Sequence, residues 1–289
     1  MPLVFVPTPL GNLGDVTLRA LEVLRGAELI VAEDTRVARK LLRALDLAGR
    51  ELWSYREHNA AGATPGILER ARAGLVAVTT DAGMPGISDP GSALVAAARA
   101  AGVAVEVLPG PSAAFGVALL SGFSLRRFAF EGFPPRSPRE RRKAFLRALR
   151  CGVTTLWYES PQRIRATLAD LAEAAPDAQI FLVREYTKVH EQQAFGEPAA
   201  VAMQLAEPVR GEIAFAVAPY RGAFDDRPER PPFDEADEQI DALLAENRRV
   251  GDIAKLLAQR GLGDRSELYA RASARKGRSK GGAPAAEST

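Results

Sequence analysis

Thr79-Thr80-Asp81-Ala82-Gly83-Met84-Pro85-Gly86-Ile87-Ser88-Asp89-Pro90-Gly91 decides the fold. The apolar run Leu75 to Val78 before it reads as a buried strand, and the alanine-rich run Ser92 to Ala101 after it reads as a helix ended by Gly102. The stretch is therefore a loop at the carboxyl end of a strand, the edge at which open α/β sheets bind ligands. Strand-to-helix connections are usually about 2–6 residues long. A longer one, in which glycines admit close backbone approach and prolines fix one shape, points to a binding loop.

The same junction recurs on both sides. Leu3 to Val6 reads as a first strand and runs into Pro7-Thr8-Pro9-Leu10-Gly11-Asn12-Leu13-Gly14-Asp15, with Asp15 expected to cap a helix carrying Leu18, Leu21 and Leu24. Val103 to Leu108 reads as a strand ending in Pro109-Gly110-Pro111-Ser112-Ala113, and a helix to Leu120 begins there. Neither loop is a Walker loop or a Gly-x-Gly-x-x-Gly fingerprint. Three such junctions on one sheet edge carry far more weight than one. Ala27 to Ala32 and Leu52 to Tyr55 add strands that end in Glu33-Asp34-Thr35-Arg36 and Arg56-Glu57-His58-Asn59. Glu33 and Asp34, two adjacent acids, read as groups for a cofactor or a proton transfer, and equally well Asp34 or Thr35 reads as the cap of the next helix. Ala60 to Ala63 reads as loop, and Thr64-Pro65 as a helix start.

Beyond Ala113 the pattern becomes mixed. Phe128 to Phe133, Val153 to Tyr158, Gln179 to Val183, His190 to Phe195 and Gly211 to Ala218 read as strands with antiparallel pairing, the last of them closing the sheet. Arg221 to Pro232 reads as a linker, and Asp234 to Asn247, Val250 to Arg260 and Arg265 to Ala274 as three helices resembling a small helix-turn-helix unit. The expected organisation is an α/β domain over 1–113, a second α/β domain over 114–220, a linker at 221–232, a helical unit over 233–275 and a disordered tail over 276–289.

Net charge is only +2, but between Arg126 and Arg150 there are nine basic residues against Glu131 and Glu140. A basic segment on a nearly neutral chain suggests a surface for a polyanion, here through Arg136, Arg139, Arg141, Arg142 and Lys143. One cysteine, Cys151, and two histidines leave little for a thiolate or zinc centre, so no metal is expected. No apolar run nears the roughly 20 residues of a membrane span, and no secretory leader is expected. A lone cysteine suits the cytoplasm.

Taken in order, Pro9 to Asp15, Glu33 to Arg36, Glu57 to Asn59, Asp81 to Gly91, Pro109 to Ala113, Glu131 to Pro135, Tyr158 to Pro161 and Arg184 to Lys188 resemble the tetrapyrrole-methylase-like class of S-adenosylmethionine methyltransferases. Within it, the chain is similar to the group that methylates small-subunit ribosomal RNA. The resemblance implies a cleft between two α/β domains, a homodimer, and 2′-O-methylation of a cytidine ribose in the decoding region of 16S rRNA in the small ribosomal subunit. It implies donor contacts from Pro9, Leu10 and Gly11, from Asp81, Ala82, Gly83, Met84, Pro85 and Ser88, and from Ser112, Ala113 and Tyr158. A ribose hydroxyl is protonated at neutral pH, so a base or a neighbouring cation should assist. Glu33, Asp34, His58, Glu159 and Lys188 are the candidates, and spacing does not choose among them. Arg36, His58 and Asn59 are candidate substrate contacts. The alternatives are a methyltransferase of this class acting on a small molecule such as a porphyrinoid, and a non-catalytic RNA-binding protein using the helical unit.

Overall fold

The computed structural model describes residues 2–87, 91–220, 233–246 and 248–279. The first part alternates strand and helix: β1 (Leu3–Phe5), α1 (Leu18–Gly26), β2 (Leu29–Ala32), α2 (Thr35–Ala44), β3 (Leu52–Ser54), α3 (Ala60–Ala73), β4 (Val76–Thr79), α4 (Gly91–Ala100) and β5 (Val105–Val107). The five strands form one sheet in the order β3-β2-β4-β1-β5, and every pairing in it is parallel. Alternate residues of each strand serve opposite faces. Leu3, Phe5, Leu29, Val31, Val76 and Val78 pack with Ile67, Ala71 and Leu94 of α3 and α4. Val4, Val6, Ile30 and Ala77 pack with Ala20, Leu24 and Leu42 of α1 and α2. Burial on both faces is why these strands read as unbroken apolar runs.

The second part comprises α5 (Ala113–Leu120), β6 (Phe128–Gly132), α6 (Pro138–Arg150), β7 (Thr154–Glu159), α7 (Ile164–Ala174), β8 (Ile180–Arg184), β9 (Gln192–Gly196), α8 (Pro198–Gln204) and β10 (Ile213–Val217). Its sheet order is β6-β7-β10-β8-β9, with β6 and β7 parallel and the remaining pairs antiparallel. The last strand does not close the sheet at an edge: β10 is inserted between β7 and β8, where all five of its residues are buried. Ala114, Val117 and Ala118 of α5 cover one face against Leu156, Phe181, Val183, Ala214 and Ala216. On the other, Trp157 stacks on Phe215 at 6.3 Å and meets the edge of Phe145 at 5.1 Å.

By contacts the chain divides into two units, Met1–Ala148 with Val153–Pro219, and Leu149–Gly152 with Tyr220–Thr289. The latter contains α9 (Phe233–Ala245), α10 (Val250–Gln259) and α11 (Arg265–Ser279), which share a core of Ile240, Ile253, Leu257 and Leu268.

Three local expectations are corrected. Asp15 lies in a 3-10 turn, Leu13–Asp15, and the cap of α1 is Thr17, whose hydroxyl accepts from Ala20 N at 3.0 Å. Helix α3 starts at Ala60 rather than Thr64, with Pro65 inside it. Alanines favour the earlier start, and Asn59 anchors it by accepting from Arg56 N (2.6 Å) and donating to Ser54 O (3.0 Å). Helix α11 continues through Lys276 to Ser279, into the segment expected as a tail, and Arg275 pairs with Asp241 of α9. The linker 221–232 and residues 280–289 lie outside the described residues.

Candidate active site

Parallel order places the carboxyl ends of β4, β1 and β5 side by side, so the three Gly/Pro loops meet. Thr8 and Gly83 exchange backbone hydrogen bonds of 2.9 and 3.0 Å, joining the first loop to the second. Thr8 Oγ1 also donates to Thr80 O at 3.2 Å. Gly83 has φ +80°, which disfavours any side chain, and a Cβ there would stand 3.0 Å from Leu10 Cδ2 and 3.6 Å from Pro111 O. A Cβ on Gly110 would stand 2.6 Å from Pro7 Cβ, which ties the third loop to the first. Pro9, Met84 and Ser112 therefore belong to loops held in mutual contact. Ser88, expected among the donor contacts, lies outside the described residues.

The second sheet reaches the same place. Tyr158 OH accepts from Ala114 N at 3.2 Å, at the head of α5, and its ring is held edge-on by Phe130 and Phe133. A Cβ on Gly11 would overlap Lys188 Cγ, and one on Gly116 would overlap the ring of Tyr186. The turn that carries these side chains is strained: Glu185 and Thr187 have φ +55° and +67°. Ser112 Oγ, Thr187 Oγ1 and Asp15 Oδ2 are buried without a hydrogen-bond partner among the described residues. Buried polar atoms are ordinarily satisfied. Three orphans around one set of loops suit a polar ligand that supplies the missing partners.

Beside these loops, at the ends of β2 and β4, lies an acidic corner. Thr80 Oγ1 donates to Glu33 Oε2 at 3.0 Å, and Asp34 N donates to Asp81 Oδ1 at 3.1 Å. Burial first, and then the charge of Glu33, push the Asp81 carboxyl above its ordinary value. Crowded carboxylates favour a cation among them. A cavity of about 20 Å³ beneath the corner is lined by Phe5, Glu33, Tyr55, Thr80 and Gly86, room for about one water. Asp34 is a cap and an ion-pair hub, accepting from Arg36 N (2.8 Å) and pairing with Arg36 (2.6 Å) and Arg56 (2.9 Å). The Arg36 hydrogen bonds hold its carboxyl well below the usual range.

Several expected site residues are engaged elsewhere. Glu159 is buried and accepts from Thr167 Oγ1 (2.6 Å), Ser160 N (2.8 Å) and Arg163 (3.3 Å), so it anchors the start of α7 and is not placed as a base. Lys188 Nζ lies between Glu185 (2.8 Å) and Glu212 (3.0 Å). Burial works against its charge, but the hydrogen bonds to Glu185 and Glu212 prevail and raise its pKa. His58 is exposed, and Asn59 is occupied by backbone. Arg141 is a further correction: it is 4% exposed, holds Asp170 at 2.5 Å, and donates to Pro135 O and Arg136 O. Arg142 pairs with Asp170 and Glu173, and Lys143 with Glu140. Arg136 and Arg139 are exposed. Among the described residues no group of three or more His, Cys, Asp or Glu is placed to hold a metal ion. Sequence reasoning passed over Thr80, Arg56 and Thr187; for the first two, the position at a strand's carboxyl end was the available signal.

The model of the tetrapyrrole (corrin/porphyrin) methylases matches residues 2–200. Ribosomal RNA small subunit methyltransferase I of Synechocystis sp. is 36% identical over 92% of this chain and 95% of that one. Its namesake in Thermotoga maritima is 42% identical over 66% of this chain and 85% of that one. Among solved structures, uroporphyrin-III C-methyl transferase from Thermus thermophilus, complexed with S-adenyl homocysteine, matches with TM-score 0.52 and 21% identity over 75% of this chain and 97% of that one. Diphthine synthase matches with TM-score 0.58 and 16% identity over 75% and 90%. These likenesses and the convergent loops agree: the chain belongs to the tetrapyrrole methylase family, among the relatives of ribosomal RNA small subunit methyltransferase I.

Proposed function

We propose that this chain transfers a methyl group from S-adenosylmethionine to the 2′-oxygen of a cytidine ribose in the decoding region of 16S rRNA. The observation that carries the reading is the convergence of the Pro9, Asp81 and Ser112 loops, with a buried hydroxyl at Ser112 that has no partner among the described residues and a carboxylate-rich corner beside them. These features fit a ligand that is both polar and cationic. The bound donor supplies a methyl group already activated on a sulfonium. Backbone of 9–11 and 81–85, Ser112, Ala113 and Tyr158 would hold it, with Lys188 lying over Gly11 from the second sheet.

Of the candidate bases, Glu33 and the exposed His58 are outside internal pairs, and Glu33 is the one beside the donor loops. Its Oε2 takes one hydrogen bond from Thr80, whereas Asp34, Glu159 and Lys188 are engaged in internal pairs. Glu33 accepts the proton of the ribose hydroxyl in this reading, and Arg136 and Arg139 meet the RNA backbone. Helix α5 turns Phe115 and Leu119 outward, 61% and 76% exposed, with Phe115 edge-on to Phe128 at 6.0 Å. That apolar face suits a homodimer contact, and substituting Leu119 by Asp should shift the protein to monomer in sedimentation. An acceptor in the small subunit places the reaction in the cytoplasm.

The test is transfer of labelled methyl from S-adenosylmethionine to under-methylated small subunits, followed by mapping of the nucleotide. Label on a cytidine ribose of 16S rRNA supports the reading. Absence of label from RNA, with donor binding intact, contradicts it and points to a small-molecule acceptor.

A further inference from the structure

Helices α10 and α11 are joined by Arg260 to Asp264, where Gly261 (φ +77°) and Gly263 (φ +154°) turn the chain and Leu262 is buried. Two helices linked through a short glycine-bearing turn form the arrangement in which the second helix lies against nucleic acid. Helix α11 buries Leu268 and Ala272 and leaves Arg265, Tyr269, Ser273 and Lys276 exposed. Steps of four, four and three residues align these side chains along one flank, while the exposed Glu267 falls on another side. Charge is segregated within the unit: α9 carries five acidic residues and no basic one, α11 five basic residues and one acidic. Arg275 serves packing, through Asp241. Arg265 lies in the first turn, where a cation opposes the helix dipole.

The methylase fold does not account for this unit. The family model ends at residue 200, and the solved methylases are matched over 90–97% of their own length by three quarters of this chain. The Synechocystis relative, by contrast, is matched over 92% of this chain.

We propose that the flank of α11 formed by Arg265, Tyr269 and Lys276 is a docking surface for ribosomal RNA, the cations meeting phosphates and the ring meeting an unstacked base. The inference rests on the function proposed above and adds a second RNA contact, within the helical unit.

The test compares the full chain with its R265E/K276E and Y269A variants, using under-methylated small subunits as the probe and donor affinity as the control. All three side chains are exposed, and thermal unfolding of each variant checks that the fold persists. R265E/K276E should weaken subunit binding by about tenfold or more and reduce the slope of log K against log salt by about 1.4–1.8, roughly 0.7–0.9 per phosphate contact. Y269A should weaken binding by about tenfold without changing that slope. Donor affinity should be unchanged in both. Wild-type subunit affinity and salt slope in both variants would overturn the docking surface and leave the methyltransferase reading intact. Failure of the wild-type chain itself to bind or methylate subunits would bring down that reading and the surface with it.

Discussion

Replacing Arg141 by Ala separates a structural cation from an RNA contact. Arg141 belongs to the basic segment, yet its guanidinium is buried, reaches Asp170 through Nε (2.6 Å) and Nη2 (2.5 Å), and donates to two backbone carbonyls. Removing one partner of a buried pair leaves an uncompensated charge, at a cost of about 3–5 kcal/mol. Asp170 keeps Arg142 at 3.0 Å, so the lower end applies, about 3 kcal/mol. For a body of this size that corresponds to a fall in Tm of about 6–12 °C. The assay is thermal unfolding at neutral pH, alongside RNA binding measured well below Tm. Arg141→Ala should unfold early and bind RNA like wild type, whereas Arg139→Ala should keep Tm and weaken RNA binding. Replacing the pair together, Arg141→Met with Asp170→Leu, should recover most of the lost stability, because no buried charge is stranded. A Tm within about 1 °C of wild type for Arg141→Ala, with weakened RNA binding, would refute the burial argument.

Three further outcomes follow from the site. Ser112→Ala removes a buried hydroxyl that has no partner among the described residues, so Tm of the free protein should hold while donor affinity in titration calorimetry falls about five- to tenfold, one hydrogen bond's worth. Glu33→Gln should lower the methyl-transfer rate about 10²–10⁴-fold with donor affinity retained. Asp81 has a folded-state pKa above its ordinary 3.8. Stability tied to its protonated form is present below about pH 3.8 and lost as pH rises through the folded value. At neutral pH its charge therefore costs the free protein stability. Asp81→Asn should raise Tm at pH 7, lose that advantage towards pH 4, and weaken donor binding.

Much of this was legible along the chain because strand ends and loop chemistry are local. Leu3 to Val6, Leu75 to Val78 and Val103 to Leu108 announce strands buried on both faces, and the glycines and prolines after each announce rigid loops. That the loops share one edge needed only parallel order. The failures came where distance in space decides. Charge density placed Arg141 among surface cations, although its spacing to Ala144, Phe145 and Ala148 sets it on the buried stripe of α6. Its partner Asp170 lies 29 residues away, which no local pattern reveals. Glu159 reads as a strand-end acid, but Thr167 and Arg163 claim it from the following helix. Nothing local marks the left-handed turn at Glu185 and Thr187, because neither residue type favours positive φ. The position of β10 inside the sheet is likewise a long-range pairing decision.

The central claim is that three loops from adjacent strands form one donor site. Amide hydrogen exchange with and without S-adenosylhomocysteine tests it most directly. Joint slowing of exchange in 9–15, 81–87 and 110–114 on adding the ligand is the predicted result. Slowing confined to one of these loops, or lying elsewhere in the chain, would contradict it.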